Sequence, residues 1–297
     1  MKLFFVLVAF TVIFASCGSS PGVDVPRDSG HALPPRTGHV APVLGDPIEQ
    51  RAVVKFPDGS VDEYTESFWN EVIKTQLDRQ ERNSASGILV EEIKYTYYEE
   101  NREGGTKGEL SDKTTLDDSN RRKSRIVYNY REGTPNLIKE TFVDRKGKIV
   151  SSFDYTYDGE GNMLTRVINN ASGAKLTETI YTYRDGRVIQ SETRDSAGRK
   201  ISSARNEYDA AGNLIKQTVY NASDRPTRII QAEWQNGKEV KNEQLSPNGQ
   251  IQLRTVSEYG AQGELIKKTI ENIEGDSKQI LEFEYNYGQS NSRTKAK

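Results

Sequence analysis

A glycine followed ten residues later by an aromatic ring recurs from residue 59 almost to the C-terminus. The pairs are Gly59 and Trp69, Gly87 and Tyr97, Gly147 and Tyr157, Gly173 and Tyr183, Gly198 and Tyr208, Gly249 and Tyr259, Gly275 and Tyr285. Asn120 with Tyr130 and Asp224 with Trp234 keep the spacing, and Asn and Asp are the residues that best tolerate the left-handed backbone that Gly supplies. The seven glycines therefore read as turn positions and the nine rings as a structural ladder. From Tyr130 onward the rings are 25 to 27 residues apart, the signature of a repeat array.

Between turn and ring the chain alternates. In Ile126-Val-Tyr128-Asn-Tyr130, Phe153-Asp-Tyr155-Thr-Tyr157 and Leu281-Glu-Phe283-Glu-Tyr285, every second residue is aliphatic or aromatic. A period of two in Ile, Thr, Tyr and Phe is a strand signal that puts the rings on one face. Asp144-Arg-Lys-Gly147, Asn170-Ala-Ser-Gly173 and Asp195-Ser-Ala-Gly198 suit a type I turn closed by a left-handed residue. The expected fold is all-β: an antiparallel meander of hairpin repeats, about 26 residues and two strands each, over residues 51–287. Strongly twisted sheets seldom exceed ~10 strands without curling or splitting, so about eighteen strands predict a curled or extended sheet. Two stretches break the rhythm. Phe68, Trp69, Val72, Ile73 and Leu77 also carry helical spacing, leaving Thr65–Arg82 open between strand and amphipathic helix. Residues 98–124 form a polar, Gly-containing insert, expected as a solvated loop.

The N-terminus predicts an address. Lys2 and the apolar run Leu3–Phe14 make residues 1–16 an export signal, too short for a permanent membrane helix. Phe14-Ala15-Ser16-Cys17 resembles the lipobox of bacterial lipoproteins, with Phe14 where that motif usually has Leu, as in the looser versions of spirochaetal lipoproteins. An ordinary secretory signal with an incidental Cys is the alternative. The position of the chain's sole Cys favours lipidation of Cys17, whose acyl chains would anchor the protein stably in a membrane. Residues 17–50 carry six of the ten prolines and no aromatic residue, and read as a disordered tether. His31 and His39 lie there as solvated side chains, and residues 288–297 read as a frayed tail.

Tyr208-Asp209-Ala-Ala-Gly212-Asn213-Leu214 resembles the YD repeat of the RHS family, and Tyr157-Asp158-Gly-Glu-Gly161-Asn162-Met163-Leu164 matches it nearly as well. Tyr183-Arg184, Trp234-Gln235 and Tyr259-Gly260 lack the Asp. The resemblance implies β-sheet shells of the kind that enclose a toxin or serve extracellular adhesion. A Lys- and Glu-rich sheet on a lipid anchor is also similar in layout to spirochaetal outer-surface lipoproteins.

Chemistry-bearing motifs are sparse. The charge is nearly balanced, 41 basic against 43 acidic residues, so no general attraction to nucleic acid is expected. Residues 51–287 contain no His or Cys, which removes most metal and nucleophilic catalysis; no cofactor, metal or catalytic residue is expected. Paired carboxylates leave glycoside hydrolysis as an alternative. The expectation is a non-enzymatic lipoprotein at the outer membrane or cell surface that displays its sheet to a protein or glycan ligand or serves envelope structure. A periplasm-facing assembly scaffold is the alternative, and a glycan-acting enzyme the third.

Overall fold

The computed structural model describes residues 48–70, 73 and 76–286. Cys17, the export signal, most of the tether, Val72 and the tail lie outside the described residues. Within them the chain is strand and turn, with no helix. The eighteen strands are β1 (Ile48–Lys55), β2 (Val61–Trp69), β3 (Leu77–Ser84), β4 (Leu89–Tyr97), β5 (Leu110–Asp117), β6 (Arg122–Tyr130), β7 (Leu137–Asp144), β8 (Ile149–Tyr157) and β9 (Met163–Asn170). They continue as β10 (Lys175–Arg184), β11 (Arg187–Asp195), β12 (Lys200–Tyr208), β13 (Leu214–Asn221), β14 (Pro226–Gln235), β15 (Lys238–Leu245), β16 (Ile251–Tyr259), β17 (Leu265–Asn272) and β18 (Ser277–Asn286).

Every strand pairs antiparallel with its sequence neighbours, and β1 also pairs with β18, through Ala52 opposite Phe283 and Val54 opposite Leu281. The sheet is therefore a closed β-barrel, which corrects the expected curled or extended sheet. Closure satisfies the two edges that an open meander leaves unpaired. Within Thr65–Arg82, Thr65–Trp69 is the end of β2 and Leu77–Arg82 the start of β3, so at the described residues the ten-residue spacing prevails over the helical one. β1 begins at Ile48, so Ile48–Gln50, read as tether, are sheet.

The left-handed turn residues follow the spacing. Gly59, Gly87, Gly147, Gly173, Gly198 and Gly249 have φ between 80° and 86°, and Asn120 and Asp224 sit at 58° and 56°. At the last hairpin the left-handed residue is Asp276 (φ 44°) and not Gly275. There Asn272 pairs directly with Ser277 and the ladder runs without a register shift, which moves the reversal one residue on. The insert 98–124 also differs from expectation. It contains all of β5 and the start of β6, and only Tyr98–Glu109 leaves the ladder. That loop is not a solvated projection. Tyr98 is buried, donates its hydroxyl to the Tyr128 carbonyl (2.7 Å) and meets Tyr130 edge-on, while Gly104 accepts the Tyr130 N–H at 3.0 Å.

Candidate functional site: the inner face of the barrel

One face of the closed sheet carries the rings, and its side chains are nearly all buried or half-buried, whereas the other alternates into solvent. Along β12, Ser202, Ala204, Asn206 and Tyr208 are covered; Ile201, Arg205 and Glu207 are exposed. The ring face is the concave, inner one.

Eight of the nine rings close the open end of their own hairpin. Tyr157, the last residue of β8, donates its hydroxyl at 2.7 Å to the carbonyl of Leu137, the first residue of β7. The same bond, always to the residue twenty positions back, is made by Tyr97, Tyr183, Tyr208, Tyr259 and Tyr285, and by the indole N–H of Trp69 and Trp234, at 2.7–3.0 Å. Tyr130 is the exception, with the Tyr98 loop packed against it. The two residues that follow a Tyr-Asp ring explain the rest of that unit. Asp158 accepts the N–H of Glu160 and of Asn162 and the Asn162 side-chain amide at 2.8–2.9 Å, and Asp209 holds Asn213 in the same way. The Asn side-chain bond, then the backbone N–H bonds, hold both exposed carboxyls below the usual range. The next residue, Met163 or Leu214, then offers its carbonyl to the following ring.

A register shift at the start of each odd-numbered strand changes which residues point inward. Tyr130 lies opposite Leu137, yet Tyr128 lies opposite Glu140, so both Ile138 and Lys139 are left outside. Successive shifts bring Gln80, Lys113, Glu140, Arg166, Gln217, Asn242 and Lys268 to the inner face. Between them on the even strands stand Tyr95, Tyr128, Tyr155 and Tyr181. Tyr95 donates to Gln80 at 2.6 Å and Tyr155 to Glu140 at 2.9 Å. Burial raises the Glu140 carboxyl, and the Tyr155 bond partly offsets it. Burial also lowers the Lys113 ammonium, which lies 5.9 Å from the Tyr95 ring. A strict period of two predicted none of these polar positions as inward; the doubled aliphatics in LIK were the one available sign of a shift.

The buried apolar cluster is confined to one arc: Tyr98, Tyr130, Leu137, Tyr155, Met163, Tyr181 and Val188, on the loop after β4 and on β6–β11. Facing inward on the remaining arc are small and polar residues, among them Ala204, Asn206, Ala232, Asn242, Thr255 and Ser257, interspersed with Val219, Ile230, Leu253, Ile270, Leu281 and Phe283. Two glutamates stand where other repeats place Leu, Met or Val: Glu49 opposite Tyr285, and Glu239 opposite Trp234. Burial pushes Glu49 up to about 7 and raises Glu239. These groups face the interior of the closed sheet.

The outer wall carries ion pairs, some at mid-strand and others next to strand ends. Lys139 pairs with Asp154 (3.4 Å), Arg194 with Glu192 (2.8 Å), Lys216 with Glu207 (2.9 Å), Arg254 with Glu243 (2.7 Å) and Lys267 with Glu258 (3.3 Å). A cation facing lipid would cost about 2–4 kcal/mol at the bilayer midplane and about 0–1 kcal/mol near its interfaces. A shallow hollow of about 260 Å³ lies on the outer wall, between Glu207, Ile215, Lys216, Gln231, Glu233 and Lys241, with its lysines already in ion pairs.

No family model matches the chain, and no curated protein matches it. Among solved structures, a porin-like protein from Bacteroides uniformis is similar over 80% of this chain and 96% of its own, at 9% identity and a TM-score of 0.42. A porin-like protein from Bacteroides vulgatus is similar over 81% and 99%, at 11% identity and a TM-score of 0.35. The TcdB2-TccC3 structure is similar over 78% of this chain but 15% of its own, at 13% identity and a TM-score of 0.22. These values are too low to carry shape or role from one protein to the other.

Proposed function

We propose that the chain is a non-enzymatic, lipid-tethered barrel of degenerate YD-like hairpins that stands in water at the bacterial envelope and serves binding. The observation that carries this reading is the distribution of charge: ion pairs along the convex wall, against a concave face of rings, amides and buried charges. A wall of this kind suits a barrel held beside a membrane and not one threaded through it. The Cys17 lipobox and the Pro-rich stretch after it supply the mooring, and the strand that follows enters the barrel at its ring end, where Glu49 lies opposite Tyr285.

Fatty-acid labelling of wild type and Cys17→Ser, with protease added to intact cells, tests the reading. The expected result is a label lost in the variant and a barrel attacked before lysis. A labelled barrel untouched until lysis points to the periplasm-facing scaffold instead. Absence of label in wild type removes the tether.

A further inference from the structure

Among the described residues twelve large apolar side chains are exposed, and every one lies in a connection or is the first or second residue of a strand. Singly, such residues need no explanation. Three of them, however, stand in a row. Ile149, Leu176 and Ile201 (47%, 41% and 43% exposed) open β8, β10 and β12, the second strands of three successive hairpins. Hairpins repeat every two strands, so the three lie about 10 Å apart along one end of the barrel.

The turns at that end are basic. Those before β8, β10 and β12 read Arg145-Lys-Gly-Lys148, Ala171-Ser-Gly-Ala174 and Ser196-Ala-Gly-Arg199, with four cations and no acid. At the other end of the same strands, the connections after β8, β10 and β12 carry Asp158, Glu160, Asp185 and Asp209, and no cation. Arg199 is paired with Asp195 (2.7 Å), and Lys175 beside the middle turn with Glu178 (3.2 Å). Arg145, Lys146 and Lys148 have no ion pair among the described residues. The acid beside them, Asp144, accepts the backbone N–H of Lys146 and of Lys148 at 2.8 and 2.9 Å. The Lys148 N–H above all, then the Lys146 N–H and both ammonium charges, hold that carboxyl below its usual range. Arg122, from the start of β6, comes within 3.5 Å of the Arg145 carbonyl and adds a cation to this edge.

We infer that this end of the β7–β12 arc docks on a lipid surface rich in anionic headgroups. Ile149, Leu176 and Ile201 enter the headgroup boundary, while Arg145, Lys146 and Lys148 meet the phosphates. A soluble polyanion would use the cations and leave the aliphatics in water; a lipid surface uses both. The exposed aliphatics of the ring end, Ile138, Leu164 and Ile215, sit among acids that such a surface repels. The contact is separate from the proposed anchor. β1 begins at the ring end, so the docking end points away from the chain's entry at Ile48, and Cys17 has no part in it.

A site-specific fluorophore tests this in the full chain carrying Cys17→Ala. An environment-sensitive label goes on Ala174→Cys, exposed in the middle basic turn, or on Ala210→Cys, exposed at the ring end. Vesicles are phosphatidylcholine alone, or equal parts phosphatidylcholine and phosphatidylglycerol. With the mixed vesicles the label at 174 is expected to shift to shorter wavelength and resist iodide quenching, and to revert as salt rises. The label at 210 should not respond. Changing Arg145, Lys146 and Lys148 together to Ser should weaken the response at 174 by about tenfold or more. If that triple variant melts lower, Lys146→Ser alone is read, and a severalfold loss is expected. A label at 174 that stays in water overturns the inference. So does an equal response on phosphatidylcholine alone, an equal response at 210, or affinity unchanged in the lysine variants. None of these outcomes bears on the tether, which fatty-acid labelling of Cys17 tests separately.

Discussion

Replacing Tyr157 by Phe removes one hydroxyl from the bond that shuts the β7–β8 hairpin. The ring stays, so the change isolates the donor. Leu137, whose carbonyl accepts it at 2.7 Å, is fully buried, and water does not readily replace the lost partner. A net hydrogen bond contributes about 0.5–1.5 kcal/mol, and a buried acceptor left bare costs about 1–3 kcal/mol, so roughly 1.5 kcal/mol is expected. For a domain of this size that is a fall in Tm of about 3–6 °C. Tyr157→Ala also deletes a half-buried ring packed against the aromatic cluster and should cost about 3 kcal/mol or more. Denaturant melts give the magnitude, and amide exchange gives the place. Contacts run between adjacent strands, so lost protection should centre on β7–β9. A Tyr157→Phe protein that melts with wild type, or protection lost equally around the barrel, would refute the stapling argument.

Glu49→Gln should show a pH signature. The folded pKa of about 7 lies above the ordinary value of 4.5, so the proton is held more tightly in the fold. That contribution is fully present below about pH 4.5 and is lost progressively as pH rises from there through 7, at a total cost of at most about 3 kcal/mol before solvent screening. The Gln variant should match wild type at pH 4 and be more stable at pH 8; an equal difference at both would contradict the burial. Gly147→Val forces a β-branched residue to φ 85° and brings its Cβ to 3.2 Å from Arg122, and should cost about 1–3 kcal/mol in a urea melt. Asp276→Gly relieves a left-handed non-Gly residue and should be neutral or slightly stabilising in the same melt. Tyr98→Ala should free the 98–109 loop, seen as protease cleavage within it while the barrel survives.

Much of the fold was legible because turn chemistry and side-chain alternation are local. Gly147, ten residues before Tyr157, and the run Phe153, Tyr155, Tyr157 fixed a hairpin, its turn and its covered face. Closure was not legible: the β1–β18 pairing joins Ala52 to Phe283, and no local signal states which edges meet. The inner polar residues were hidden for another reason. A register shift at Leu137 reverses the parity of β7, so Glu140 faces in where plain alternation from Leu137 points Lys139. The Tyr98 loop reads as polar because Arg102, Glu103 and Lys107 dominate it, yet its one ring decides its position. The lipid anchor rests on sequence alone.

Closure of the barrel is most directly measured at its seam. Arg51 on β1 lies opposite Glu284 on β18, with their side chains 3.9 Å apart. With Cys17 changed to Ala, cysteines placed at 51 and 284 should oxidise into an intramolecular disulfide at high yield and run faster on a non-reducing gel as a monomer. A pair that stays reduced, or cross-links between molecules only, would mean that the first and last strands do not meet and that the sheet is open.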